Sequence, residues 1–278
     1  MSNKKWAIVT GSSSGFGLLS VLELAKNGFQ VIATMRDMSK SAKLLELSQA
    51  QDISEFIHLH PLDVTSKQSI MDFKNYLSKF NSIDVLVNNA GYALGGFSEE
   101  ISVDEFRLQF ETNVFGVISV TQVVLPLMRA QGKGRIINIS SISGKIGFPG
   151  LSPYVASKHA LEGFSESLRL ELKPFGIDVS LVEPGSYQTN IWASVDATER
   201  KQNSPYHAYM SALLNEIEAG KTNHGDPLDV AKLVAKIAAQ PQTPNLRYPI
   251  GKGVKSNIFL KNLFPWKMLE KIILKRLL

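Results

Sequence analysis

Short apolar runs alternate along this chain with longer stretches in which apolar residues recur every three or four positions. The short runs lie at 6–10, 29–35, 56–62, 83–87, 135–140, 177–182 and 246–250, and their length and bounding residues predict strands. Between them, Leu18, Val21, Leu22, Leu24 and Ala25 set out a helix, and further helices are expected over 39–51, 66–80 and 101–131. Ala156, Ala160, Leu161, Phe164, Leu168 and Leu172 mark another, with Ser152 or Pro153 placed to start it, and Asp226-Pro227 begins a later one. Strand and helix in alternation predict a doubly wound α/β fold, in which seven parallel strands carry helices on both faces. At 278 residues and 44% apolar composition the chain can bury a sizeable core, and a single domain over 1–278 is expected.

Charge and composition narrow the setting. The net charge is +5, yet residues 255–278 hold six basic side chains against Glu270 alone, so the remainder is balanced. That argues against a broad nucleic-acid-binding face and confines the basic charge to the tail. The chain has no cysteine, which excludes disulfides, thiolate nucleophiles and zinc-thiolate sites and fits a reducing cytoplasm. Neither a secretory leader nor a membrane-spanning run is expected. His58 and His60 alternate along the third strand without partners at ligand spacing, so no metal site is expected.

Candidate chemistry gathers at the strand ends. Gly11-Ser12-Ser13-Ser14-Gly15-Phe16-Gly17 follows the first strand and opens the first helix. This is the layout of a nucleotide site, because glycines let the backbone approach a pyrophosphate and the helix N-terminus offers it free N–H groups. The spacing, with no Lys-Ser/Thr after it, excludes a P-loop. The second strand ends Thr34-Met35-Arg36-Asp37. An acidic residue there would accept from an adenosine ribose 2′-hydroxyl, whereas a basic one would neutralise a 2′-phosphate. Met35 stands at the expected acidic position and Arg36 follows, so NADP(H) is favoured over NAD(H), with Ser12 or Ser13 as further phosphate donors. Asp37 turned inward is the rival arrangement that would admit NAD. The third strand ends in Asp63-Val64, and the fourth stops at Asn88-Asn89-Ala90-Gly91, which suits a crevice where a ligand passes.

Tyr154 and Lys158 lie one helical turn apart, so a phenol and an ammonium act on one small volume. A tyrosine titrates near ~10, and lowering it by roughly three units asks for about 4 kcal/mol, within reach of one lysine plus a cationic cofactor ring. Ser141 ends the fifth strand with no basic histidine beside it and no Gly-x-Ser-x-Gly elbow, which suits a hydrogen-bond donor better than a nucleophile. Asn113 sits inside the 101–131 helix, as a tolerated surface residue or at a kink.

Taken together, Thr10-Gly11-x-x-x-Gly15-x-Gly17, Asn88-Asn89-Ala90-Gly91, Asn113, Ser141 and Tyr154-x-x-x-Lys158 resemble the ordered motif set of the short-chain dehydrogenase/reductase family. The resemblance runs over about residues 5–190. Thr34-Met35-Arg36-Asp37 and residues 154–174 further resemble the branch that includes 17β-hydroxysteroid and retinol dehydrogenases. It implies a Rossmann-type fold and an oxidoreductase that interconverts an alcohol and a carbonyl. Tyr154 would be the general acid/base, Ser141 would hold the substrate oxygen, and Lys158 would lower the Tyr154 pKa and bind the nicotinamide ribose. Asn113 would hold a water connecting to Lys158. Pro184-Gly185 would pass the nicotinamide and Thr189 would contact the cofactor, with Asp63, Val64, Asn89, Ala90 and Gly91 also along it. Because fold does not fix function, a cofactor-binding sensor or scaffold without turnover stays open.

Residues 190–224 are rich in apolar and aromatic side chains, including Ile191, Trp192, Tyr206, Tyr209, Met210, Leu213 and Leu214. A lid over an apolar pocket is expected there, with core packing or a subunit contact as alternatives. The tail over 254–278 interleaves apolar residues and lysines; it can cover the substrate entrance, pack on a second subunit or lie on an anionic membrane. A bulky apolar alcohol or carbonyl compound is the expected substrate, and a homodimer or homotetramer the expected assembly. The expected location is cytoplasmic, with the membrane surface as the alternative.

Overall fold

A computed structural model describes residues 4–189, 203–220 and 224–277. Its strands are β1 (Lys5–Val9), β2 (Phe29–Met35), β3 (Ile57–Pro61), β4 (Val85–Asn88), β5 (Gly134–Ile139), β6 (Ile177–Pro184) and β7 (Arg247–Ile250). They form one sheet in the order β3-β2-β1-β4-β5-β6-β7, and every pairing is parallel. Among the described residues the helices are α1 (Gly15–Lys26), α2 (Ala42–Ala50), α3 (Lys67–Leu77), α4 (Val103–Phe110), α5 (Gly116–Ala130), α6 (Ser152–Leu172), α7 (His207–Gly220), α8 (Pro227–Ala239), α9 (Val254–Leu263) and α10 (Trp266–Leu277).

Alternation along each strand feeds two apolar layers. Ala7 and Val9 of β1 pack with α1 and α8, while Ile8 between them packs with α3 and α5. Phe29 and Phe73 are among the largest side chains fully withdrawn from water, and each such burial stabilises the fold by roughly 1.5–3 kcal/mol. The strand order places the site: β1 pairs with β2 on one side and β4 on the other, and the connections after them diverge to opposite halves of the sheet. A crevice opens at their carboxyl ends, where doubly wound sheets bind ligands.

Two expectations need correction. First, the helix expected over 101–131 is interrupted by a π-helical turn, Glu111–Phe115, which carries Asn113 inward, so of its two readings the kink holds and the tolerated surface position does not. Gly116 follows because α5 crosses close to Val64, whose Cγ2 would lie 2.8 Å from an added Cβ. Secondly, Val103–Ala130 is long and apolar enough to cross a membrane, and residues 112–128 carry no charge, contrary to the expectation that no such run exists. It is nonetheless a core element: Val117, Val120, Val124 and Met128 are buried. The tail is two helices, broken at Pro265, whose ring cannot continue α9. The helix expected over 39–51 likewise starts as a 3₁₀ turn, Met38–Ser41, capped by Asp37.

Candidate active site

The glycine turn between β1 and α1 forms one end of a cavity of about 1240 Å³. Gly11 has φ +67°, and a Cβ there would stand 2.8 Å from the Ala90 Cα. Gly17 would drive a Cβ into the Gly11 carbonyl and the Asn89 amide. That amide donates to the Thr10 and Gly11 carbonyls at 2.9 and 3.0 Å, so β4 holds the turn in shape. Gly11, Ser13, Ser14, Gly15 and Phe16 line the cavity, and Ser14, at the N-cap of α1, makes no side-chain cap hydrogen bond. First-turn N–H groups without such a cap can hold a phosphate. Ser12 is a correction: it is fully buried and its hydroxyl donates to the Thr34 carbonyl at 2.9 Å, so it ties β2 to the turn and does not line the cavity. Gly17 also lies behind the wall, where its task is close packing.

At the end of β2, Met35 and Arg36 line the cavity. The Asp37 carboxylate accepts from the Ser39 N–H at 3.0 Å and from its hydroxyl at 2.6 Å, and those bonds hold its pKa below the usual carboxylate value. Asp63 and Val64 after β3, Asn89, Ala90 and Gly91 after β4, and Pro184, Gly185 and Thr189 after β6 line the same cavity. His58 bonds Gln30 at 2.7 Å and His60 stacks on Tyr76, which accounts for both as packing residues.

Ser141, Tyr154 and Lys158 come together on the wall at the carboxyl end of β5. All three are buried. Ser141 caps a 3₁₀ turn by accepting from the Ser143 N–H at 3.1 Å, and its hydroxyl favours the ionised form of the neighbouring Tyr154. The Lys158 Nζ donates to the Ile139 carbonyl at 2.7 Å and stands 5.7 Å from the centre of the Tyr154 ring. Burial pushes Tyr154 up to about 12, against the smaller opposing effect of Ser141. Burial pushes Lys158 down to about 8, with the Glu162 carboxylate opposing. Among the chain's own groups desolvation outweighs the opposing effect of Ser141, so the lowered phenol expected from one lysine plus a cationic cofactor ring rests on the cofactor.

Asn113 does not reach the cavity wall. Its amide donates to the Tyr92 carbonyl at 3.0 Å and to the Ser157 hydroxyl at 3.1 Å, while its Oδ1 accepts from the Tyr92 N–H at 3.2 Å. Both amide hydrogens are used in joining the loop after β4 to α6, so a water relay here would have to use Oδ1 or the backbone carbonyl. Much of the remaining wall is apolar, formed by Phe148, Leu151, Met210, Leu213, Ile217 and Ile273, with Glu216 and His224 also lining it. Of the residues expected to form a lid, Met210, Leu213 and Leu214 on α7 are on this wall, Tyr206 stacks on Phe97 at 4.5 Å, and Ile191 and Trp192 lie outside the described residues.

The family model for short chain dehydrogenases matches residues 5–200. The chain belongs to the short-chain dehydrogenase family. Over 278 residues it is 53% identical to an uncharacterized oxidoreductase, YusZ, of Bacillus subtilis, with 99% of each chain covered. It is 36% identical to a 3-ketodihydrosphingosine reductase of Bacteroides thetaiotaomicron (89% of each chain) and 34% identical to human retinol dehydrogenase 8 (87% of this chain, 81% of the relative). Among solved structures, it is similar to an actinorhodin polyketide ketoreductase with NADPH (TM-score 0.78, 31% identity, 91% and 99% covered). A Burkholderia phymatum short chain dehydrogenase/reductase in complex with NAD is also similar (TM-score 0.80, 25% identity, 94% of each chain). The protein is an oxidoreductase, and these relatives give no support to a scaffold without turnover.

Behind the wall, this short-chain dehydrogenase carries a buried charge cluster that reading the motifs missed. Glu162, one turn beyond Lys158, accepts from the Ser140 hydroxyl at 2.6 Å and from the Arg247 Nε at 3.0 Å. The same Arg247 Nε stands 3.2 Å from the Glu183 Oε1, at ion-pair distance but without hydrogen-bond direction. Burial first, and the neighbouring Glu162 charge second, push Glu183 up to about 7. The signal for Glu162 was the same four-residue step that links Tyr154 to Lys158. Arg247 gave no such signal, since only the sheet brings β7 beside α6.

Proposed function

We propose that this protein is an NADP(H)-dependent oxidoreductase interconverting an alcohol and a ketone or aldehyde on a bulky apolar substrate. The observation that carries the reading is the place of Ser141, Tyr154 and Lys158, on the wall between a glycine cradle and an apolar chamber of one cavity. The cradle fits a dinucleotide, because glycine stands where a Cβ would collide and the first turn of α1 faces the cavity without a side-chain cap. Gly11, Ser13, Ser14, Gly15 and Phe16 would hold the pyrophosphate; Asp63, Val64, Asn89, Ala90, Gly91, Pro184, Gly185 and Thr189 would line the remainder. Arg36 on the wall, with Asp37 held by Ser39, supports a 2′-phosphate and hence NADP(H) over NAD(H). The names of two relatives, a ketodihydrosphingosine reductase and a retinol dehydrogenase, agree with an apolar carbonyl or alcohol.

A bound nicotinamide supplies the hydride in reduction and accepts it in oxidation. In the reductive direction Tyr154 donates its phenolic proton to the carbonyl oxygen, and Ser141 donates a hydrogen bond to the same oxygen. Tyr154 keeps its proton at neutral pH, which suits a donor. Lys158, fixed on the Ile139 carbonyl, favours the phenolate left behind. Asn113 keeps the Tyr92 loop against α6 through Ser157 and so fixes the helix that carries Tyr154. A homodimer or homotetramer, in the cytoplasm or at a membrane surface, belongs to the same proposal. NADPH consumption across a panel of long-chain and ring ketones and aldehydes tests it. Turnover of some member with NADPH preferred over NADH is expected, and failure with every member, or a preference for NADH, overturns it.

A further inference from the structure

The tail is the most apolar exposed region of the described surface. Of the fourteen large apolar side chains exposed among the described residues, seven lie between Phe259 and Leu274. Phe259, Leu263 and Trp266, around the Pro265 break, are 64%, 60% and 54% exposed, and Met268 and Ile272 on α10 are about half exposed. Lys267, Lys271 and Lys275 recur at four-residue steps along α10, so they form one stripe, and all three are exposed. Among the described residues none of the three makes an ion pair. The opposite side of the same helix faces the protein: Leu269 and Ile273 are partly covered, and Ile273 lines the cavity together with Leu213 and Ile217 of α7.

We propose that α9 and α10 dock on an anionic lipid surface, which places the apolar chamber beside the bilayer. An exposed apolar ridge around Trp266 with a stripe of unpaired lysines next to it is the chemistry of an interfacial helix, in which apolar side chains enter the acyl boundary and cations meet lipid phosphates. Charge decides against a second copy of the chain as the occupant. A two-fold contact through this face would bring two lysine stripes together, with Glu270 alone to offset the six basic residues of each tail. A nucleic acid would satisfy the lysines and leave Phe259, Leu263 and Trp266 uncovered. The consequence for catalysis, that substrate passes between bilayer and chamber along α10, rests on the apolar-substrate reading above; the docking itself does not.

Flotation of the full chain with vesicles tests the docking without any turnover. Binding to phosphatidylglycerol-containing vesicles at low ionic strength is expected, with weak binding to pure phosphatidylcholine. Changing Lys267, Lys271 and Lys275 together to Gln should weaken anionic-vesicle binding by about a hundredfold, from roughly tenfold or less per lysine near the surface. The change Trp266→Ser should weaken it while leaving the salt dependence in place. Both variants are exposed-site changes, and unchanged circular dichroism and thermal midpoint confirm that they fold. Absence of binding to anionic vesicles at low salt overturns the proposal. So does binding that the lysine variant retains in full, or a concentration-dependent dimer that Trp266→Ser dissociates. If vesicles bind while no apolar carbonyl is turned over, the docking stands and the substrate reading falls.

Discussion

Lys158 directs its Nζ to the Ile139 carbonyl, 2.7 Å away, and stands 5.7 Å from the centre of the Tyr154 ring. The ammonium is thus fixed by the backbone of β5 beside the phenol, and both groups are buried. Each bears a desolvation penalty that pushes it toward its neutral form, the lysine down and the tyrosine up. The site holds an uncharged acid and a reluctant cation side by side.

That pairing has a stability signature. The Lys158 pKa falls from the usual 10.5 to about 8 in the folded protein. Between these values the unfolded chain binds more protons than the folded one, so this group makes stability rise with pH from about 8 to 10.5. Below about 8 the full penalty remains, of the order of 3 kcal/mol. Tyr154, raised from 10.0 to about 12, acts in the opposite sense: its contribution is present below 10 and lost as pH rises toward 12. Lys158→Met should therefore stabilise the protein near pH ~7, and the gain should fade near pH ~10. Urea midpoints at the two pH values measure it, and an equal gain at both would show that packing rather than charge is responsible.

Loss of the phenolic hydroxyl in Tyr154→Phe should lower kcat by roughly 10² to 10⁴-fold, the range of a single general acid. Cofactor affinity should change little, because the ring is retained and the glycine cradle is untouched. Fluorescence titration with NADPH alongside single-turnover kinetics separates the two effects. Residual turnover within a few-fold of the parent would assign the proton to another group.

Arg36 should distinguish the two cofactors. Its side chain is exposed on the cavity wall, so its interaction with a 2′-phosphate is screened and a loss of about tenfold is expected, near the lower end for a charged hydrogen bond. Arg36→Ala should raise the KM for NADPH by that amount and leave the KM for NADH in place. A parallel rise for both cofactors would mean that the side chain supports the fold of the cavity wall rather than reading the phosphate.

The sequence made the seven strands and the cofactor cradle readable because both depend on short-range patterns. Val and Ile runs and a glycine turn before Leu18 need no tertiary knowledge. Asn113 shows where this stops: its burial comes from a π turn that closes onto Tyr92 and Ser157, contacts 21 and 44 residues away. Ser12 could not be told from Ser13 by type, and only its hydrogen bond to the Thr34 carbonyl withdraws it from the cavity. The titration of Tyr154 in the chain alone is hidden for the same physical reason. A neighbour at i,i+4 is visible in sequence, whereas the desolvation that raises the phenol depends on how the whole wall packs.

Glu162 is the group on α6 best placed to keep Lys158 charged, since its carboxylate is the one that opposes the downward push of burial. Glu162→Gln should move the kinetic pH limb that belongs to Lys158 toward lower pH. It should also lower stability by about 1–3 kcal/mol, because Arg247 and the Ser140 hydroxyl lose a buried anionic partner. The groups facing this carboxylate are Lys158 on α6, Lys145 at 3.9 Å after β5, Glu183 on β6 and Arg247 on β7. Glu166→Gln provides the control: that residue also bonds Arg247 but is half exposed, so it should leave the limb in place. A limb that moves in both variants would trace the shift to Arg247, and one that moves in neither would separate Lys158 from the cluster altogether.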